Sequence, residues 1–313
     1  MAVKKWIGGA AGATGDLSNA ANWAPSGVPT NSDDVYIEGN GTDYDITAGL
    51  TTFAAVTLNS VNISITFSKA IGIANTGTSS TTIGYMSISG TNTAAITVNM
   101  GYQNGGTSAG GGGNLWRLNT GSALATFNIT GSATSSQLPN GGPITLLGTH
   151  TSNVLNIISG VVSVAADPTE TAKFLTINNR GNLALGTGVT LTTINQNAGS
   201  IIVRSGVTTY SQTAGASTFS GTGTTGTMNL QGGTSALNST GTITALNIYG
   251  ATANLSGSQS PRTITTATLY AGATINLNNG VKNSITITNP IVVSAGPGQF
   301  AIVGWFGSSY ALS

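Results

Sequence analysis

Few residues of this 313-residue chain could carry out chemistry, because only 5% are charged, cysteine is absent and histidine occurs once. The catalytic candidates are His150, Asp167 and Glu170. A histidine beside a carboxylate can act as a general base, and two facing carboxylates can hydrolyse a glycosidic bond. However, His150 follows Gly148-Thr and the two acids flank Pro168, so both segments are predicted to be turns. We therefore expect no catalytic residue and no enzymatic activity.

Acidic residues near the N-terminus raise the possibility of a metal site. Hard cations such as Ca²⁺ are bound by several oxygen ligands. The spacing of these acids matches no calcium-binding loop, so we interpret them as solvated acids in turns. Because there is also no cysteine and no phosphate-binding glycine motif, we expect no metal and no cofactor. The acids concerned are Asp33, Asp34, Glu38, Asp43 and Asp45.

The balance and placement of charge exclude further classes of protein. Nine basic and eight acidic residues give a net charge of +1, and no basic cluster is present to neutralise nucleic-acid phosphates. No run of about 18 apolar residues predicts a membrane span, and no signal peptide follows Lys4-Lys5. We therefore expect synthesis in a cytoplasm without export. Residues 1–170 contain all eight acids, whereas residues 171–313 carry only basic charges.

A repeat in the second half of the chain predicts the secondary structure around the candidate residues. Each copy contains two short runs with apolar residues at every second position, which predicts strands with one buried face. A glycine separates the runs and allows a tight bend. A unit of about 18 residues cannot bury its face alone, but stacked units can. The repeat glycines, 16 to 22 residues apart, are Gly160, Gly181, Gly199, Gly215, Gly233, Gly250 and Gly272.

The repeat predicts an all-β fold, a single-stranded β-helix (β-solenoid) of about a dozen short coils with a cap at each end. Aliphatic residues would fill the interior, and Thr, Ser and Asn on the outside would form hydrogen-bonded ladders between coils. An irregular β-sandwich is the alternative. We predict an N-terminal capping or attachment module in residues 1–50, coils in residues 51–289, and an apolar cap or docking tail in residues 290–313.

Several aromatic residues and one arginine are candidates for contacts with other subunits. Residues 290–313 are rich in aromatic residues and carry no charge, and exposed apolar surface of this kind commonly marks an interaction site. The tryptophans near the N-terminus are interpreted first as a hydrophobic plug on the first coil. The candidate contact residues are Trp6, Trp23, Trp116, Arg117, Phe300, Trp305, Phe306 and Tyr310.

The opening segment resembles that of known β-helical surface proteins. An early Trp6 is followed by Asn22-Trp23, then Gly27-Val-Pro29, and then Asp33-Asp34 before an alternating strand. This pattern is similar to the start of bacteriophage virion surface proteins and of adhesin-like repeat proteins. Because no signal peptide is visible, we favour the virion group. The resemblance, which covers about 35 residues, implies a capsid decoration protein, a head fibre or a tail-spike component, commonly trimeric.

Together these observations predict a structural bacteriophage virion protein of the capsid decoration or head-fibre type. The expected partners are the major capsid protein or other virion subunits, and the chain is expected to form a homotrimer. A tail spike that binds a receptor or a host surface glycan is the alternative, and a bacterial surface adhesin is a lesser one. Neither nucleic acid nor a membrane is an expected partner, and the expected location is the virion, after synthesis in the host cytoplasm.

Overall fold

The fold was analysed in a computed structural model. The chain forms two compact units: unit 1 comprises residues 1–166 and 170–174, and unit 2 comprises residues 167–169 and 175–313. The structure describes residues 2–7, 19–30, 33–38, 51–52, 60–66, 84–87, 96–103, 116–122, 124–131, 144–257, 260–278, 284–294, 296, 298–304 and 308–309.

Unit 1 consists of two sheets whose strands alternate along the chain. The first sheet has the order β2-β1-β3-β5-β7-β9-β11, and the second has the order β4-β6-β8-β10-β12. The β1–β2 pair is antiparallel, whereas β3, β5, β7, β9 and β11 pair in parallel. The strands are β1 (Val3–Trp6), β2 (Trp23–Ala24), β3 (Asp34–Glu38), β4 (Thr51–Thr52), β5 (Ser60–Thr66), β6 (Gly84–Ser87), β7 (Ile96–Gln103), β8 (Trp116–Asn119), β9 (Ala125–Gly131), β10 (Ile144–Leu147), β11 (Val154–Ile157) and β12 (Val161–Val164), and a short 3-10 helix (Ala20–Asn22) precedes β2.

Unit 2 repeats this arrangement after β13 (Ala172–Asn179), whose first three residues belong to unit 1. Its first sheet includes β15-β17-β19-β21-β23-β25-β28, and its second has the order β14-β16-β18-β20-β22-β24-β27. The strands are β14 (Asn182–Leu185), β15 (Val189–Gln196), β16 (Ser200–Val203), β17 (Val207–Gln212), β18 (Ala216–Phe219), β19 (Thr225–Leu230), β20 (Thr234–Leu237), β21 (Ile243–Ile248), β22 (Thr252–Asn254), β23 (Arg262–Tyr270), β24 (Thr274–Asn276), β25 (Ile285–Ile287), β26 (Val292–Ser294), β27 (Ala301–Val303) and β28 (Ser308–Ser309).

Within the described residues, parallel pairing of every second strand along the chain defines a β-solenoid of about seven turns. The all-β prediction and the solenoid prediction are therefore confirmed, and the β-sandwich alternative is wrong because sandwiches are built from antiparallel sheets. The prediction of about a dozen coils and of two end caps stays a prediction, as do the predicted boundaries at residues 50 and 290.

Alternating apolar residues fill the interior, as the repeat predicted. In unit 2, successive strands place Ile194, Tyr210, Met228, Leu246 and Ala267 in register, and each is buried. Since the side-chain period of a strand is two, the residues between these positions point to the other face. Each strand thus adds one buried side chain to a continuous row, and a single coil could not bury this face without the coils beside it.

An asparagine ladder runs across unit 1 on the outer side of the first sheet. The Nδ2 of Asn99 donates to the Oδ1 of Asn62 at 2.9 Å, and Asn128 donates to Asn99 at 2.8 Å. Asn156 continues the ladder by donating to Asn128 at 2.9 Å. The predicted asparagine ladder between coils is therefore confirmed, and it links strands without using charge.

Glycines at the bends allow the coils to stack closely. Gly215 and Gly233 have φ of +85° and +76°, a region that other residues rarely adopt. A Cβ at Gly215 would overlap the carbonyl oxygen of Gly199, and one at Gly233 would overlap that of Gly215. The repeat glycines at these corners thus meet both a conformational and a steric requirement.

Candidate functional site

The opening module, defined as residues 2–7, 19–30 and 33–38, contains the motif residues of the N-terminal segment. Asn19 begins the 3-10 helix, because its Oδ1 accepts the Ala21 amide hydrogen at 2.9 Å. The chain then enters β2, which pairs antiparallel with β1 and opposes Trp23 to Trp6. The two rings pack edge to face, with centroids 5.2 Å apart, and both are buried. This packing agrees with the plug interpretation.

Asp33 connects the beginning of the chain to the turn before β3. Its Oδ1 accepts the amide hydrogen of Ala2 at 2.8 Å, and its Oδ2 accepts the amide and hydroxyl hydrogens of Thr30 at 2.9 and 3.0 Å. These hydrogen bonds lower the pKa of Asp33, with the Thr30 amide as the largest cause, although burial acts in the opposite direction. Asp33 is a turn acceptor as predicted, but the expectation that it is solvated is wrong, because it is 3% exposed.

Lys4 brings a positive charge into the same module. Its Nζ donates to the carbonyl oxygens of Pro25 and Ser26 at 3.1 and 3.2 Å, and the residue is buried. A Cβ at Gly27 would lie 3.0 Å from this Nζ, so the glycine of the Gly-Val-Pro motif leaves space for the lysine. The Nε1 of Trp6 is buried without a hydrogen-bond partner among the described residues.

The other predicted contact residues are only partly placed. Trp116 and Arg117 begin β8, and they pair with Ile144 and Thr145 of β10, but their side chains lie outside the described part of the structure. Phe300 is half-buried just before β27. The remaining candidates, Trp305, Phe306 and Tyr310, lie outside the described residues. Their role as contact residues, like that of Trp6 and Trp23, stays a prediction.

Two of the residues considered for catalysis, His150 and Asp167, accept hydrogen bonds within turns. The Nδ1 of His150 accepts the Ser152 amide hydrogen at 3.1 Å. The Oδ1 of Asp167 accepts the amide and hydroxyl hydrogens of Thr169 at 2.8 and 2.6 Å. In the described ranges no group of three or more His, Cys, Asp or Glu residues could hold a metal ion. No helix among them is long and apolar enough to cross a membrane.

A buried polar network in unit 2 was missed by the sequence analysis. The Nε2 of Gln212 donates to the carbonyl oxygen of Gly232 at 2.9 Å, while its Oε1 accepts the hydroxyl hydrogens of Tyr210 at 2.8 Å and Ser235 at 3.0 Å. Burial raises the pKa of Tyr210. Gln212 is fully buried. The sequence feature that could have indicated this network is a glutamine at an inward position of the repeat.

A stacked pair of tyrosines on the surface of unit 2 was also missed. The rings of Tyr249 and Tyr270 are 4.2 Å apart and inclined by 12°. Tyr249 is 38% exposed and Tyr270 is half-buried. Alignment of two repeat copies could have indicated this pair. In one copy Tyr249 follows the inward residue Ile248, and in the other Tyr270 follows Leu269, its partner in the sheet.

A small cavity in unit 2 lies beside a buried arginine. Its lining includes Phe219, Leu237, Leu255 and Arg262, and its volume of about 10 Å³ is about that of one water molecule. Arg262 donates a hydrogen bond from Nη1 to the Leu237 carbonyl oxygen, and burial lowers its pKa. The cavity is too small for an organic ligand.

Comparison with known proteins assigns this β-solenoid to no family. No protein-family model matches the chain, and neither a curated protein nor a solved structure matches it.

Proposed function

We propose that the chain is a structural protein of a bacteriophage virion, of the capsid decoration or head-fibre type, which binds shell subunits as a homotrimer. The observation that carries the proposal is the construction of the opening module. Trp6, Trp23 and Asp33, which are part of the resemblance to virion surface proteins, are all buried and join β1, β2 and β3. The motif thus specifies a folded unit that could attach a solenoid to a shell.

The proposal includes a solenoid of about a dozen coils with a cap at each end. The antiparallel strand β2 lies at the outer edge of the first sheet, beside β1. A very short edge strand of this kind limits further strand pairing, which supports a capping role for residues 1–50. In the same proposal the aromatic tail of residues 290–313 docks to the partner.

A long-lived structural role also agrees with the way the strands are held together. The ladder of Asn62, Asn99, Asn128 and Asn156 and the buried network of Gln212 use neutral groups. Contacts between neutral groups are little affected by salt, whereas exposed ion pairs are screened. Such a protein would keep its form outside the cell over a wide range of ionic strength.

Electron microscopy of particles from the source host tests the proposed location. Gold-labelled antibodies against the chain are expected on the shell of intact particles, and native mass spectrometry of the purified chain is expected to show a trimer. Labelling of the tail alone would favour the spike alternative. Particles without label, together with a monomeric chain, would contradict the proposal.

Substitution in the tail tests the docking segment. Replacing Trp305 and Phe306 by serine is expected to abolish binding to purified shells, since loss of apolar area weakens a docking contact. Tyr249→Ser is the matched control, because it removes an exposed aromatic side chain that lies outside residues 290–313. Equal binding by all these variants would exclude the tail as the docking segment.

A second candidate function is recognition of a host saccharide by a tail spike. The exposed tyrosine pair favours it, because aromatic rings on a surface can pack against sugar rings. A glycan array is expected to give signals that Tyr249→Ala removes if this function is correct. An array without signals would exclude it.

A further inference from the structure

Tyr249 and Tyr270 are held next to each other by the parallel pairing of β21 and β23. Ile248 lies opposite Leu269 in this register, so the following residues are also opposite each other. Parallel strands are about 4.8 Å apart, and the ring centroids are 4.2 Å apart with nearly parallel planes. The backbone therefore keeps the rings stacked, with both side chains leaving their strands in the same direction.

Tyr270 also affects the ionisation of Tyr249. A hydrogen bond with the Tyr270 side chain, followed by burial and charge repulsion from Tyr270, raises the pKa of Tyr249. Because the two rings are stacked with centroids 4.2 Å apart and nearly parallel planes, the ring carbons next to the two C–OH groups are brought close together. These carbons are the positions at which phenoxyl radicals couple.

We propose that Tyr249 and Tyr270 are a modification site at which a one-electron oxidant joins the two rings as dityrosine. Each phenol gives one electron to the oxidant and one proton to the solvent. The two radicals form a carbon–carbon bond between ring carbons next to the oxygens, and the hydrogen on each of these carbons then moves to its oxygen. The product has two fewer hydrogen atoms than the pair of tyrosines.

Surface exposure and a tyrosine neighbour occur together at this pair. Tyr249 is 38% exposed, so an oxidant in solution can reach it. Tyr210 is fully buried and packs edge to face on Phe219. Tyr36 lies opposite Lys5 and Asn62. Of these tyrosines, only the stacked pair combines access with a second phenol in position to couple.

The link would join two consecutive coils of unit 2 covalently. The linked residues are 21 positions apart in the sequence, so the bond closes a loop of the unfolded chain. Closing such a loop lowers the entropy of the unfolded state. Oxidation would therefore stabilise the coils, which distinguishes this site from one where oxidation damages the fold.

Photo-oxidation of the full chain tests the site. A ruthenium trisbipyridine photo-oxidant is used with persulfate, which takes up the two electrons and becomes two sulfate ions. Trypsin cleaves after Arg204, Arg262 and Lys282, so the two tyrosines fall in different peptides, residues 205–262 and 263–282. The expected product is a linked peptide lighter by two hydrogen atoms, with dityrosine fluorescence, from chains that still run as monomers on a denaturing gel.

Conservative variants identify the residues that couple. Tyr249→Phe and Tyr270→Phe keep the stacked rings but lack one phenol, so each is expected to lose the linked peptide. Tyr210→Phe is the matched control, because residue 210 lies in the same peptide as Tyr249, and its link is expected to remain. The proposal is overturned by the absence of a link in the wild-type chain, by a link that survives Tyr249→Phe, or by links found only between chains.

Discussion

Replacement of Asp33 by asparagine is expected to open the N-terminal module. The substitution preserves the shape of the side chain but removes its charge and turns one acceptor atom into a donor. In the native chain the carboxylate accepts three hydrogen bonds, one from Ala2 and two from Thr30. An asparagine oxygen can face either Ala2 or Thr30, and its NH₂ group must then face the other donor.

The size of the effect follows from these three bonds. A buried donor left without an acceptor costs about 1–3 kcal/mol, and hydrogen bonds to a charged group exceed neutral ones by about 1 kcal/mol. Because Asp33 is 3% exposed, solvent weakens these bonds little. We expect Asp33→Asn to lower the free energy of opening the module by about 3 kcal/mol, which is roughly a hundredfold in the open fraction.

The same carboxylate gives the module a pH dependence of known sign. The pKa of Asp33 in the folded chain is lower than the ordinary pKa of an aspartate, so the folded state binds its proton less readily than the unfolded state does. Its contribution to stability is complete above the unfolded pKa and is lost as the pH falls through the folded pKa. Opening is therefore expected to increase below about pH 4, and this contribution is absent in Asp33→Asn.

Hydrogen exchange measured by mass spectrometry detects both effects. Faster exchange is expected in Asp33→Asn for the paired amides of β1 and β3, with unit 2 unchanged. Asp167→Asn is the matched control, because Asp167 accepts hydrogen bonds from Thr169 in an exposed turn. If Asp33→Asn exchanges like wild type at pH 7, or if both chains open equally on acidification, the role given to this carboxylate is wrong.

Three further predictions concern the coils. Urea unfolding is expected to show that Gly233→Ala destabilises unit 2 more than Gly298→Ala does. Both substitutions place alanine at positive φ, which costs about 1–2 kcal/mol. Of these two positions, only Gly233 would also have its new Cβ overlap a carbonyl oxygen. Asn128→Ala is expected to lower the stability of unit 1 by about 1–3 kcal/mol, because it removes the bonds to both Asn99 and Asn156; a midpoint equal to that of wild type would contradict the ladder's role. Oxidised wild-type chain is expected to show a higher unfolding midpoint of unit 2 than oxidised Tyr249→Phe, as measured by urea titration.

The solenoid could be predicted because its repeat combines two local signals. Alternating apolar residues fix the buried face of each strand, and glycines such as Gly215 and Gly233 mark the bends. Both signals depend on residues close together in sequence, so they are readable without knowing which strands pair. The Asn ladder followed from the same reasoning, since in-register stacking places equivalent positions of successive coils side by side.

The surroundings of individual side chains were less predictable. Composition suggested that Asp33 is solvated, yet three donors from distant or local backbone and side-chain groups allow it to be buried. The residues next to Gln212 in the sequence do not reveal which carbonyl oxygen accepts the hydrogen bond from its buried side chain. The stacking of Tyr249 on Tyr270 depends on the strand register between copies of unequal length, which the sequence alone did not define.

Buried charged side chains of this chain are contacted mainly by polar groups of the backbone. The Nζ of Lys4 contacts two carbonyl oxygens, and Asp33 contacts amide and hydroxyl hydrogens. Arg262 donates to a carbonyl oxygen. In each case backbone dipoles stabilise a side-chain charge, and backbone groups are available at every bend of a solenoid. Backbone groups can therefore help a fold of this kind to bury a charged side chain.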